Sequence, residues 1–199
     1  MQKRNGLKTL LTSSMLLLGL AGAAAAQAGV LEKVRAHGAV RCGVASDKPG
    51  FSLIDDKGQW TGMDVDLCRA VAAAALGDST KVEYIATTGK NRFTALASGE
   101  IDVLSRATSW TADRIASLGV DFTTVWFYDG QGFMTHAKDG IQKLTDLDGA
   151  TFCLSPGTTS EQNLDDYFSQ RGLTYKTVII EKSPELFAAF QSGRCNAIS

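Results

Sequence analysis

The chain has 199 residues, 44% of them hydrophobic, with 20 basic and 21 acidic side chains and a formal net charge of −1. No block of Lys or Arg is dense enough to neutralise a row of phosphates or to hold an anionic bilayer, which excludes nucleic acid and membrane surfaces as expected partners. The length suits one ordinary core or two small lobes, and no internal repeat or low-complexity segment breaks it.

The first element reads as an export signal. Lys3, Arg4 and Lys8 precede an apolar run from Leu10 to Leu20, and Ala26-Gln27-Ala28 supplies the small residues of a cleavage site. That run is shorter than the roughly 20 apolar residues that span a bilayer, so the expectation is cleavage near Ala28 and a mature chain in the periplasm. Losing three basic residues and no acidic one moves the net charge to −4.

After the signal, punctuation by glycine outlines alternating elements. A short helix over 31–36 is closed by Gly38, and 39–45 reads as a strand carrying Cys42. The turn Asp55-Asp56-Lys57-Gly58 separates extended pieces at 51–54 and 59–61. A helix over 64–76 follows, with Val65, Leu67, Cys68, Val71 and Ala72 as its apolar stripe and Gly77 as its stop. Then come a strand at 81–85, a helix at 91–98 ended by Gly99, and a strand at 101–104.

Residues 120–132 interrupt the rhythm with Phe122, Trp126, Phe127 and Tyr128 before Gly130 and Gly132, and read as a passage between lobes. Alternation resumes with a strand at 150–154, a helix at 159–171, a strand at 176–180, a helix at 184–192 and a strand at 195–199. Ser183 is placed as the N-cap of the last helix, with Pro184 in its first position and Gly193 after its end. The pattern predicts an α/β fold with a mainly parallel sheet. A parallel strand of this kind is normally interior, so ending the chain on it predicts an uncovered, aggregation-prone strand.

Cys42, Cys68, Cys153 and Cys195 form an even set in an exported chain, which reads as two disulfides. Of the three connectivities, 42–68 and 153–195 place one bridge in each half. Zinc is disfavoured because there is no CxxC pair and His37 and His136 sit in no ligand spacing.

Two loops carry the chemistry. In Ser155-Pro156-Gly157-Thr158-Thr159-Ser160-Glu161, Gly157 permits close backbone approach and the helix start offers free N–H groups to a carboxylate or other small anion. Thr158 and Glu161 are also spaced as a capping box, which explains them without any ligand. The second loop, Ser105-Arg106-Ala107-Thr108-Ser109-Trp110-Thr111-Ala112-Asp113-Arg114, follows a strand, where open α/β sheets collect ligands. Arg114 is either a planar fork for a carboxylate or a surface arginine on a short helix.

Several runs resemble the solute-binding proteins of polar amino-acid ABC importers: Gly50-Phe51, Trp60-Thr61-Gly62-Met63-Asp64-Val65-Asp66, and Asn91 through Val103. Phe127 through Met134, with Trp110-Thr111 and Gly193-Arg194-Cys195, resembles the general L-amino-acid subfamily. The resemblance covers residues 30–199 and implies a two-lobed type II periplasmic-binding-protein fold that closes on its ligand about a hinge, with a first lobe over 29–125 and a second over 126–199. It implies Arg114 as the clamp on the ligand α-carboxylate, Ser109 as a nearby hydroxyl, and Thr158 and Thr159 facing the same carboxylate. Phe51 matches an aromatic against the ligand side chain. Arg106 stands where better-studied members have serine, and meets an acidic side chain or reflects broad specificity.

The family's carboxylate for the ligand ammonium would fall just past Ser199, and so would the remainder of the second lobe and the return that completes the first. The resemblance therefore implies a C-terminally truncated member with an incomplete second lobe, whose affinity collapses if residue 199 is the end. The expected function is binding of L-amino acids for an inner-membrane ABC permease, as a monomer with neither cofactor nor metal. The alternatives are a non-functional fragment of such a protein and an exported enzyme, dehydratase or transglycosylase-like, on the same scaffold. An enzyme needs a proton shuttle, whereas the loops offer Arg, Ser, Thr and aromatic residues with Glu161 as the one obvious acid. No Gly-x-Ser-x-Gly elbow is present either.

Overall fold

In the first half the most deeply buried strand is flanked by two others running the same way. The computed structural model describes residues 29–199, so the export signal and its cleavage point near Ala28 lie outside the described residues. Helix α1 (Val30–His37) leads into β1 (Val40–Val44), which pairs in parallel with β5 (Val82–Ala86) on one edge and β6 (Val103–Leu104) on the other. Four of the five residues of β1 are buried, as expected of a parallel strand covered on both faces. Helix α2 (Met63–Leu76) packs its Cys68 and Ala72 against Val34, Val40, Cys42 and Val44, and stops at Gly77 in the left-handed conformation. Helix α3 (Arg92–Ser98) crosses between β5 and β6.

The turn around Asp55 joins β3 (Ser52–Ile54) to β4 (Trp60–Thr61), and β2 (Asp47–Lys48) adds to them as an antiparallel strand. No side chain caps α2. Its first N–H groups are met by backbone, with Met63 donating to the Gly50 carbonyl at 3.1 Å and Asp64 to that of Phe51 at 2.8 Å. Helix α4 (Ala112–Leu118) follows β6 directly.

The second sheet is mixed, in the order β7 (Met134–Thr135), β10 (Ala197–Ile198), β8 (Thr151–Leu154), β9 (Lys176–Ile179). Helices α5 (Thr159–Ser169) and α6 (Ser183–Gln191) cross over it. Phe152, Leu154, Leu164 and Phe168 form one core with Leu147 and Ala197, while Cys153, Leu186, Phe190, Cys195 and Ile198 form a second.

This order corrects the expectation that the last strand is left uncovered. β10 is interior, parallel to β8 on one side and antiparallel to β7 on the other, and Ala197 and Ile198 are buried. The sequence reading missed β7 because two residues inside an irregular passage show no periodicity. The Ser183 cap is corrected too. Lys182 occupies the cap position without a side-chain bond, and Ser183 is already helical. Its N–H donates to Asp47 Oδ2 at 2.7 Å and its Oγ accepts from Lys48 Nζ at 2.8 Å, so a carboxylate from β2 serves the helix start in place of a local cap.

Both disulfides are present. Cys42 and Cys68 tie β1 to α2 across 26 residues with Cα atoms 6.1 Å apart, and Cys153 and Cys195 tie β8 to the approach of β10 across 42 residues at 5.6 Å. Loop-closure entropy assigns the longer bridge about 4 kcal/mol. Replacing Cys153 and Cys195 together by alanine is expected to lower the unfolding free energy by about that amount, measured by urea denaturation under oxidising conditions.

One ion pair fastens β6 to β1. Arg41 Nε donates to Asp102 Oδ2 at 3.0 Å and the Arg41 backbone N–H to the same oxygen at 2.9 Å, while the Asp102 side chain is 3% exposed. Burial alone would raise the Asp102 carboxyl, but the donors and charge of Arg41 outweigh it and hold it below the ordinary range. A carboxylate depressed in the folded state adds stability above its unfolded pKa and loses it as pH falls through the folded value. Asp102→Asn is therefore expected to cost about 3 kcal/mol at neutral pH, a difference that shrinks in acid denaturation series below about pH 4.

Candidate functional site

The segments that follow β1, β5, β6 and β8 converge: Arg106 and Ser109 lie in the loop after β6, Arg114 in α4 beyond it, Thr158 and Thr159 at the start of α5 after β8, and Phe51 between β2 and β3. Two of them are hung from the end of β1. Thr87 donates both its N–H and its Oγ to the Val44 carbonyl at 2.8 and 3.1 Å, and the Ser105 N–H donates to the Gly43 carbonyl at 2.9 Å. Beyond β1 itself, the Ala45 N–H donates to Ser52 Oγ at 3.1 Å, and that hydroxyl donates to Asp64 Oδ2 at 3.1 Å.

In the loop after β6, Ser105 Oγ donates to the Asp64 carbonyl at 2.8 Å, which fixes the loop against the start of α2. Thr111 caps α4, its hydroxyl accepting from the Arg114 N–H at 3.2 Å. The Arg114 guanidinium turns back and donates from Nη1 to the Ser109 carbonyl at 2.6 Å. Arg114 is 8% exposed, so it is not the surface arginine that the sequence left open. Burial pushes its pKa below the ordinary arginine value, with Asp113 opposing.

After β8, Thr158 caps α5 by accepting from the Glu161 N–H at 3.3 Å, and its own hydroxyl donates to the Ser155 carbonyl at 2.9 Å. Glu161 returns one residue earlier than a capping box requires, accepting from the Gly157 N–H at 3.0 Å. Thr159 is left to reach across, and its Oγ1 lies 3.1 Å from Ser109 Oγ. Hydroxyls 50 residues apart in sequence thus touch beside Arg114.

An open groove of about 660 Å³ runs along this junction, walled by Gly89, Phe93, Thr111, Arg114, Thr158 and Thr159 among others. It brings together Arg114, Thr158 and Thr159, with Ser109 bonded to its edge through Thr159. Phe51 and Arg106 do not line it. Phe51 is half-buried, edge-on to Phe127 with ring centroids 5.0 Å apart, and Phe127 is 49% exposed. Arg106 is half-buried with its Nε unpartnered, and burial lowers its pKa while Asp47 and Asp64 oppose.

Sequence reasoning missed Arg92. It is 1% exposed, and donates to the Gly89 and Gly157 carbonyls at 2.7 and 2.8 Å. Its signal was a cation in the first helical position of α3, where the helix dipole favours an anion. Arg92, Arg106 and Arg114 lie close enough for the charges of the other two to lower Arg92, while Asp113, Glu161 and Asp165 also line the groove. Neither histidine takes part, since His37 bonds Glu83 at 3.1 Å and His136 bonds the Phe190 carbonyl at 3.1 Å. Among the described residues no cluster of His, Cys, Asp or Glu could hold a metal.

Residues 40–198 match the family described as Bacterial extracellular solute-binding proteins, family 3. The General L-amino acid-binding periplasmic protein AapJ of Rhizobium johnstonii is 50% identical over 175 residues, which cover 88% of this chain and 51% of that protein. The Glutamate/glutamine/aspartate/asparagine-binding protein BztA of Rhodobacter capsulatus is 46% identical over 175 residues, covering 88% of this chain and 52% of its own. A periplasmic binding protein of an ABC transporter from Brucella ovis, with glutathione bound, has a TM-score of 0.78 and 49% identity over 86% of this chain and 54% of that one. The chain spans about half the length of these relatives.

Asp64 offers a test of how the site is supported. It is fully buried, with Oδ1 unpartnered, and burial raises its carboxyl above the ordinary range despite Ser52 and Arg106. An acid raised by folding weakens the fold above its unfolded pKa and ceases to do so as pH falls. Asp64→Asn is expected to raise the urea midpoint near pH 7, with the gain fading toward about pH 4.

Proposed function

This chain belongs to the bacterial extracellular solute-binding proteins of family 3, and from that premise we propose that it holds an L-amino acid or similar small zwitterion for delivery to an inner-membrane ABC permease. The family places it outside the cytoplasm. On this reading the export signal is cleaved near Ala28, a first lobe occupies 29–125 and a second 126–199, and the chain works as a monomer. The lobes meet at the groove.

The observation that carries the proposal is the contact of Ser109 Oγ with Thr159 Oγ1 at 3.1 Å beside the buried Arg114 guanidinium. Two hydroxyls, a guanidinium bonded to the Ser109 carbonyl and a helix start brought together here are the kinds of donor an α-carboxylate needs. In this reading Arg114 is the clamp, with Ser109, Thr158 and Thr159 completing it. Phe51, braced by Phe127, lies against the ligand side chain, and Arg106 meets an acidic one. The relatives' names support the ligand class: AapJ is a general L-amino acid binder and BztA binds glutamate, glutamine, aspartate and asparagine. No step of catalysis enters, since these groups grip charge and do not shuttle protons.

Calorimetric titration of the oxidised chain, freed of residues 1–28, against acidic, amide, basic and aliphatic L-amino acids tests the reading. Binding by the wild type and a loss of about 100-fold for Arg114→Ala are expected, the scale of a removed charge-assisted pair. Thr158→Val is expected to cost about 10-fold. A folded chain that binds none of the panel, or an Arg114→Ala chain that binds as the wild type does, overturns it.

A further inference from the structure

Two loops from the two halves of the chain meet backbone to backbone beside the groove. A Cβ on Gly89 would lie 2.4 Å from the Pro156 carbonyl oxygen, and one on Gly157 would lie 2.9 Å from the Gly89 carbonyl oxygen. Nothing larger than glycine fits at Gly89, although its backbone is not in the left-handed region. Contact, not conformation, demands the glycine there.

A single guanidinium stitches the loops together. Arg92 Nη1 donates to the Gly89 carbonyl at 2.7 Å and Nη2 to the Gly157 carbonyl at 2.8 Å, one from each loop. Its Nε has no partner, and no carboxylate pairs with it among the described residues. Instead it lies over the Phe93 ring at 4.7 Å, and Arg114 lies over the same ring at 5.2 Å. Burial, followed by the charges of Arg106 and Arg114, pushes Arg92 down to about 9. A neutral donor could bridge two carbonyls without that electrostatic cost, so the charge calls for a reason.

We propose that Arg92 is a positioning residue that closes loops 87–91 and 155–158 on each other, setting Thr158 and Thr159 opposite Arg114, and that a carboxylate arriving in the groove stabilises this closed arrangement through its charge. The proposal rests on the solute-binding reading. Arg92 acts on the ligand through the Gly157 carbonyl and the helix start behind it, and through space across Phe93, without touching it. Capture by the open form is left to Arg114. Retention depends on Arg92.

Three variants and two readouts test this. Arg92→Gln keeps a donor and removes the charge; Arg92→Lys keeps the charge and loses the fork; Gly89→Ala leaves all charges in place and puts a methyl against Pro156. In stopped-flow binding, Arg92→Gln and Gly89→Ala are expected to leave association within about twofold and to speed dissociation about 10- to 100-fold, equally for every ligand bound. Arg92→Lys is expected to fall between them and the wild type. The double variant is expected to be no worse than the poorer single one, because both break one contact. A loss confined to ligands with acidic side chains would make Arg92 a direct ligand contact and sink the proposal. So would slowed association in step with a lower ligand-free unfolding midpoint, the mark of a merely structural residue.

Small-angle scattering of the ligand-free proteins is the second readout. Arg92→Gln and Gly89→Ala are expected to show a larger radius of gyration than the wild type, and an unchanged radius overturns the proposal whatever the titrations give. Failure of the wild type to bind is by contrast a failure of the solute-binding reading, and the scattering result stands apart from it.

Discussion

Strand β1 is the constraint on which the site depends. It is buried on both faces and hydrogen-bonded along both edges, and its last carbonyls do not end in solvent. Gly43 and Val44 receive the N–H groups of Ser105 and Thr87, the first residues of two of the loops that form the groove. Ala45 passes the connection on through Ser52 to Asp64 at the start of α2. Parallel strands leave their carboxyl ends on one side, so fastening loops to those ends brings them to a common point. The Cys42–Cys68 bridge and the Arg41–Asp102 pair hold the strand that does this.

The chain then spends stability on charge. Arg92 and Arg114 are buried, Arg106 is half-buried, and the pKa of each is lowered by its surroundings. Carboxylates offset two of them in part, Asp47 and Asp64 at Arg106 and Asp113 at Arg114, while Arg92 has no such partner among the described residues. A mildly acidic molecule thus gathers three arginines where its loops meet, beside the Asp113, Glu161 and Asp165 of the groove, and local geometry more than net charge sets the field there. The arrangement suits a binding role, because fixed guanidinium and hydroxyl donors hold an anion through hydrogen bonds alone.

Most elements were legible because their signals are local. Glycine after an apolar stripe marked the ends of α1, α2 and α3, and the four longest strands, β1, β5, β8 and β9, lay within a residue of where the sequence put them. Among the two-residue strands, β4, β6 and β10 lay inside segments read as extended, whereas β2 and β7 did not. β2 and β7 owe their existence to partners, β3 and β10, that no window of sequence shows. For the same reason Ser183 looked like a cap, having the right side chain next to Pro184, until Asp47 arrived from 136 residues away.

The candidate site divides along the same line. By itself the sequence determined the residue types: hydroxyls and a guanidinium in the loop after one strand, a capped helix start after another, and cysteines able to bridge each half. Only the tertiary structure decided that Ser109 and Thr159 touch, that Arg114 and Thr158 wall the groove while Phe51 and Arg106 stand off it, and that Arg92 joins the loops. The physical reason is that composition, caps and turns are written in neighbouring residues, whereas burial and charge pairing depend on which distant backbone atoms come within hydrogen-bond reach. Arg92 is one helix residue among several in the sequence, and a buried clasp once Gly157 is 2.8 Å away.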